Sequence, residues 1–280
     1  MAESVPAAPE GLAPLLDVLD LEPIELDIFR SRSTGAPGGR LFGGEVCAQA
    51  LVAAERTAPP ETAPHSLHAY FLRPGDTGAR VVFRVDRLQD GRNFRRRRVT
   101  AIQHGEPILC LECSFTTDHS GTTHQVSAPQ APDPEECSPF DPRRPTNWQV
   151  EPYDVFDVRP ATSEGDDYAR FIDDLWFRPR AGKVDDRVSA AAVLTYFSDL
   201  TFVSSILRPT MRTDIKGLTS LDHVLWFHNE VRFDDWIYYA KSSPAVGDLR
   251  GLAEGRFFSR EGTLIASAAQ EGLIHARRDS

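Results

Sequence analysis

GGEVCAQALVAAERT (residues 43–57) and VSAAAVLTYFSDLTFVSSIL (residues 188–207) are two proline-free runs dominated by Ala, Leu and Val. Each predicts a helix that is apolar nearly all round, and such a helix needs burial on most of its sides. Two further features recur in the same order after each run. HSLHAYFLRPGD (65–76) and SLDHVLWFHNE (220–230) predict strands built on a Ser-Leu start, a histidine and aromatics. RRVTAIQHGEPILCLECSF (97–115) and LAEGRFFSREGTLIASAAQEGLI (252–274) predict hairpins that turn at Gly105 and Gly262.

The pattern reads as an internal duplication in an α+β chain. In each copy an antiparallel sheet curls around one long central helix. The copies span residues 12–120 and 147–280. Residues 121–146 join them, and SAPQAPDPEECSPFDPRRPT (127–146) holds six prolines and no hydrophobic period. This linker and the first ten or so residues are expected to be mobile from their Pro/Ala/Glu-rich composition.

Composition narrows the partners. Lys and Arg number 31 against 41 Asp and Glu, a formal charge of −10. Phosphate-backbone binding draws its affinity from counterion release to a net basic surface, so a nucleic-acid partner is not expected. No apolar run reads as long enough to span a bilayer, and MAESVPAAPEGLAPLL lacks the basic start and apolar core of a secretory signal. HARRDS is not a peroxisomal address. A cytoplasmic protein with no membrane partner is the expectation. Cys47, Cys110, Cys113 and Cys137 are irregularly spaced, and no second pair completes a zinc site around Cys110 and Cys113. They read as reduced and structural.

Arg95-Arg96-Arg97-Arg98 is the one strongly basic run. Residues 94–103 read as a strand, so Arg95 and Arg97 face one way and Arg96 and Arg98 the other. Two readings stand. The arginines form ion pairs with the abundant carboxylates, or some of them meet an anionic ligand through guanidinium forks.

Several long motifs, in order, resemble acyl-CoA thioesterase II, the TesB-type family of double-hotdog hydrolases. They are LFGGEVCAQAL, HSLHAYFLRPGD, DGRNFRRRRVTAIQHGEPI, YFSDLTF, SLDHVLWFH, DDWIYYAKSSPA, RGLAEG and LIASAAQEGLI. The resemblance runs over roughly residues 12 to 275 and is weakest across the linker. It implies two hotdog repeats in one chain and hydrolysis of acyl-CoA to a free fatty acid and CoA, in lipid metabolism, without metal or cofactor. The family's water-holding set falls on Asp199, Ser220 and Gln270, with Ser220 where some members carry Thr. Gly43, Gly44, Arg96, Arg97 and Arg98 are the candidate contacts for substrate and CoA phosphates. Glu45 stands where the family usually shows Gln, and it adds a negative charge beside the first helix's start. A homo-oligomer, a dimer or tetramer of double hotdogs, is expected.

The residues carry part of this on their own. Asp199 follows Val188, Ala191, Ala192 and Thr195 at helical spacing. A carboxylate on that stripe either caps the helix at an exposed spot or is buried for use. Gln270 shares a strand face with Leu264, Ala266 and Ala268, and a full amide there must be hydrogen-bonded. It either ties off the sheet or serves the site. Aligning the hairpins on Gly105 and Gly262 sets Cys113 opposite Gln270, so the first copy lacks the amide. Ser220 has no GxSxG elbow around it, which disfavours a serine nucleophile. His65, His68, His223 and His228 read as packed or hydrogen-bonded, Trp226, Trp236, Tyr238 and Tyr239 as core or interface, and Asp234-Asp235 as solvated. Two alternatives remain. One is a hotdog enoyl-thioester hydratase, disfavoured because no helix offers an Asp followed shortly by His. The other is a non-catalytic acyl-CoA-binding protein.

Overall fold

The duplication is visible in the order of elements. The first half runs α1 (Ala13–Leu19), β1 (Leu21–Glu25), β2 (Ile28–Ser31), α2 (Gly43–Glu55), β3 (Ala63–Phe71), β4 (Val82–Asp90), β5 (Phe94–Gln103) and β6 (Glu106–Thr116). The second runs α3 (Pro152–Val155), β7 (Phe156–Pro160), β8 (Leu175–Pro179), α4 (Ala190–Ser198), β9 (Ile215–Ser220), β10 (Asp222–Phe227), β11 (Ile237–Gly247), β12 (Arg250–Ser259) and β13 (Leu264–Ala276). The computed structural model describes residues 11–32, 34–35, 37–117, 121–139, 152–162, 173–184, 188–210 and 215–276. The first ten residues and positions 140–146 of the expected linker lie outside that set.

The described strands join one sheet in the order β1-β2-β4-β5-β6-β3-β10-β13-β12-β11-β8-β7, with β9 extending along β13. The second half of that order is the first half reversed. A pseudo-twofold axis therefore passes between the central strands β3 and β10, which pair antiparallel with Leu67 opposite Leu225. The sheet wraps the two long helices, giving the double hotdog that the motifs imply. Every residue of α2 from Gly44 to Ala54 is buried, as is every residue of α4 from Ala192 to Ser198. That explains their small apolar composition: a helix enclosed on all sides leaves no room for a polar face.

The hairpins form as read. His104 and Gly105 both have positive φ, 51° and 81°, as a two-residue turn between twisted strands demands. Gly262 turns the second hairpin with φ 88°.

The expected 188–207 helix does not run through. It stops at Ser198, Asp199 caps it, Thr201 turns with φ 59°, and a short 3-10 helix covers Val203–Leu207. Residues 190–207 are in fact apolar and long enough by composition to pass for a membrane span, contrary to the expectation, but 78% of the stretch is buried inside the protein.

Residues 121–139 have neither helix nor strand, yet they pack on the second half. The Trp176 indole donates to Pro132 O at 3.0 Å and the Trp236 indole to Glu135 at 3.0 Å. Cys137 sits in a cluster with Trp176, Trp236, Tyr238 and Phe258. Trp236, Tyr238 and Tyr239 are core residues, whereas Trp226 is exposed and lies edge-on to His68. The four cysteines are free.

The arginine run alternates as a strand should. Arg97 is buried, and Arg96 and Arg98 are exposed. Arg97 donates to Thr57 Oγ1 at 2.8 Å, to Thr57 O at 3.0 Å, to the carbonyls of Gln89 and Arg96, and to Asp90 at 2.6 Å. Arg98 pairs with Glu112. Arg97 thus fastens β5 to the chain leaving α2. Arg97→Ala would strand several buried carbonyls, and a loss of about 2–4 kcal/mol is expected. Chemical denaturation should show a lowered midpoint, with turnover per folded molecule unchanged.

Candidate active site

α2 and α4 pack side by side and antiparallel. The first turn of α2 therefore meets the last turn of α4. The Gly44 N–H donates to Asp199 Oδ2 at 2.9 Å. No side chain is tolerated at this meeting. A Cβ on Gly44 would stand 2.3 Å from Tyr196 O, and one on Gly43 would stand 2.7 Å from Asp199 Oδ2.

The other carboxylate oxygen, Oδ1, accepts from Gln270 Nε2 at 2.9 Å. Gln270 lies on the inward face of β13 and is fully buried, as its strand neighbours suggest. The same Nε2 reaches Ser220 Oγ at 2.5 Å. Ser220 is the last residue of β9, which pairs with β13 and sets Ser220 opposite Gly272. Asp199, Ser220 and Gln270, far apart in sequence, are thus brought together.

A fourth residue belongs to this group, and sequence reasoning left it among the packed histidines. His223 Nδ1 lies 2.7 Å from Gln270 Oε1, and its Nε2 lies 2.8 Å from Ser198 Oγ. An amide oxygen only accepts, so Nδ1 carries a proton and donates. That bond orients the Gln270 amide, turning its Nε2 toward Asp199 and Ser220. The signal was present: His223 shares the inward face of β10 with Leu225, a polar residue where the core calls for an apolar one. The other histidines bond or stack locally, His65 with Ser114 and His228 with Ser267.

Burial pushes the Asp199 carboxyl above its ordinary value of 3.8, while His223, the Gln270 amide and the Gly44 N–H pull it back. A carboxyl so balanced is a proton acceptor of strengthened basicity. Burial, joined by the Asp199 charge, pushes the nearby Cys47 thiol up. Glu45 does not add the negative charge expected of it. Burial pushes its carboxyl up to about 8, so it is largely neutral at pH 7. Neither of its oxygens has a hydrogen-bond partner among the described residues.

Gly43 and Gly44 are at the carboxylate. Arg96, Arg97 and Arg98 are not brought there. Arg97 is bound to Thr57, beyond the C-terminal end of α2, and a helix of that length separates its ends by about 20 Å. The structure gives Arg97 and Arg98 intramolecular partners, which favours the ion-pair reading of the run.

A duplicated hotdog with an acid, an amide and a hydroxyl converging at the seam between its helices has the architecture of a thioester hydrolase. Residues 31–117 match the family model for the acyl-CoA thioesterase N-terminal domain, and residues 151–273 match that for acyl-CoA thioesterase. The chain is 35% identical to human acyl-coenzyme A thioesterase 8, covering 93% of this chain and 88% of that protein. It is 33% identical to acyl-CoA thioesterase 2 of Haemophilus influenzae, covering 93% and 96%. Its fold is similar to the crystal structure of the acyl-CoA thioesterase II TesB2 from Mycobacterium marinum, with a TM-score of 0.78, 37% identity, and coverage of 93% and 98%. The chain belongs to the TesB-type acyl-CoA thioesterase family, and its reaction is the hydrolysis of acyl-CoA.

The His223 geometry can be tested directly. His223→Leu removes the partner of Gln270 Oε1 and leaves a buried acceptor unsatisfied, at about 1–3 kcal/mol. Beyond that loss, kcat should fall about tenfold with KM little changed, since a misplaced positioning group raises the barrier rather than the binding constant. An unchanged kcat in the folded variant would confine His223 to packing.

Proposed function

We propose that Asp199 is the general base of the reaction and that Gln270 and Ser220 hold the attacking water against it. The observation that carries this reading is the Gln270 amide nitrogen, which reaches both Asp199 Oδ1 and Ser220 Oγ. Three groups centred on one point can fix a water molecule, and positioning supplies a large part of such a barrier reduction. Asp199 takes a proton as the water oxygen bonds to the thioester carbon. The carbonyl electrons move onto oxygen. The Gly43 N–H at the start of α2 is the donor at hand for that oxyanion, since the Gly44 N–H is engaged by Asp199 and those of Glu45 and Val46 by Phe42 O. Collapse of the tetrahedral species breaks the C–S bond and expels CoA thiolate, which then takes up a proton. A thiolate leaves readily, so no strong acid is required at sulfur.

The hydratase reading needs a histidine free to exchange a proton with substrate. His223 is the buried histidine beside the acid, but both its nitrogens are engaged. A homo-oligomer remains part of the proposal. Tyr70 and Trp226, exposed on the outer face of the central strands, support it.

The test is thiol release from acyl-CoAs of graded chain length. Asp199→Asn should lower kcat by about 10²- to 10⁴-fold, the usual worth of a positioned base. Ser220→Ala should cost about tenfold, since Gln270 remains to hold the water. Asp199 acts when deprotonated and its carboxyl is raised, so kcat/KM should fall with decreasing pH around a midpoint above 3.8. Equal rates in parent and Asp199→Asn would remove Asp199 from catalysis.

A further inference from the structure

The pseudo-twofold axis that builds the Asp199 site also builds a second place like it. Antiparallel packing brings two pairs of helix ends together. At one, Gly44 at the start of α2 meets Asp199 at the end of α4, 2.9 Å apart. At the other, Ser189 at the start of α4 donates its hydroxyl to Glu55, the last residue of α2, at 2.7 Å. Glu55 therefore stands at the end of α2 as Asp199 stands at the end of α4. Burial pushes its carboxyl up to about 7, against the Ser189 hydrogen bond and the Arg56 charge. Burial first, and then the Glu55 charge, push the Cys113 thiol up.

A cavity of about 560 Å³ opens at this second meeting. Glu55, Arg56, Thr62 and Ser189 reach it beside apolar walls that include Val52, Phe115, Val184 and Val188. A cavity of this size, with apolar walls beside convergent polar groups, can hold a small molecule.

The strand registers show what this place lacks. Cys113 pairs with Leu67 across β6 and β3; across β13 and β10, Val224 pairs with Ala269, and the next residues, His223 and Gln270, are joined by their side chains. Pro64 pairs with Phe115, where the second half pairs Ser220 with Gly272. The positions of Gln270, His223 and Ser220 are therefore held by Cys113, Leu67 and Pro64. An acid and a cavity remain, but the strand positions that carry the amide, the histidine and the hydroxyl of the Asp199 site hold none of them here.

We propose that this cavity is a second acyl-CoA site that binds without hydrolysing: its apolar walls take the acyl chain, and the Glu55 carboxyl pairs with an amide N–H of the pantetheine arm. The proposal rests on the acyl-CoA reading of the Asp199 site, whose symmetry-related copy it is. The nucleotide end of the ligand stays outside in solvent, as Arg56, on the cavity wall, is committed to Asp20 and Leu21 O.

The experiment is isothermal titration of the full chain with thioether analogues of acyl-CoA, which cannot be hydrolysed, in octyl, dodecyl and hexadecyl lengths. Two equivalents per chain are expected for the parent. Ala58→Trp fills the cavity from its rim and should leave one, with Thr62→Trp serving if Ala58→Trp does not fold. Glu55→Ala should weaken the second equivalent about 3- to 10-fold through the lost hydrogen bond. One equivalent in both parent and Ala58→Trp, with thiol release from acyl-CoA intact, overturns the second site alone. Two equivalents in both overturns its placement in this cavity. No binding and no thiol release overturns the reading of the Asp199 site as well.

Discussion

A carboxylate from one half of the chain is held by a backbone N–H from the other, and the geometry of the whole molecule follows from that contact. Taking Asp199 out of water costs several kcal/mol before compensation. Two hydrogen bonds and the positive end of α2 offset part of this. The remainder shows as the raised carboxyl, which is useful in a base. For the contact to exist, the start of α2 must touch the end of α4. The helices must then lie antiparallel, and both residues at the start of α2 must lack side chains. Neither half has the site alone.

The two halves share an architecture and differ at the places where chemistry is done. Seven residues, 56–62, carry the first half from α2 to β3, and twenty-three, 199–221, carry the second from α4 to β10. The extra length forms the 3-10 helix and β9, and β9 delivers Ser220 onto β13. Where Cys113 pairs with Arg97 in the first half, Gln270 pairs with Ala253 in the second. Arg97 fills its space with a guanidinium bound to Thr57 and Asp90. Ala253 is small and leaves the Gln270 amide to its own partners, Asp199, Ser220 and His223. The two copies thus differ at matching positions of one sheet, Arg97 and Cys113 against Ala253 and Gln270.

What the sequence revealed depended on whether the signal was local. Turns at Gly105 and Gly262 and the enclosed helices follow from short-range pattern, and they form as read. Gln270 was legible because a single amide interrupts a run of small apolar residues on one strand face. His223 was less so, because its partner lies on another strand and histidine is unremarkable among aromatics. The arginine run left two readings open in sequence, ion pairs or an anionic ligand. Only the register of β5 with its neighbours shows that Arg97 is turned inward onto Thr57 and Asp90, and that Arg98 faces Glu112. The family resemblance supplied Asp199 and Ser220, which their own surroundings in sequence would not have singled out.

The end of α4 at Asp199 was invisible because the groups that end it come from a distant strand. YFSDLTF holds no Gly or Pro to break a helix. The turn is made from β11. The Tyr239 hydroxyl donates to Ser198 O at 2.9 Å, occupying a carbonyl that the next helical turn would need. Lys241 Nζ bonds Thr201 Oγ1 at 3.0 Å, and Thr201 is held at φ 59°, where a β-branched residue is strained by about 1–3 kcal/mol. Lys241 is itself buried, and burial lowers its ammonium to about 7. Two costly features, a left-handed threonine and a buried lysine, thus meet just beyond the carboxylate. Their effect is to stop the helix at Asp199. One turn further, the carboxylate would lie along the flank of α4, out of reach of Gly44 and Gln270 together.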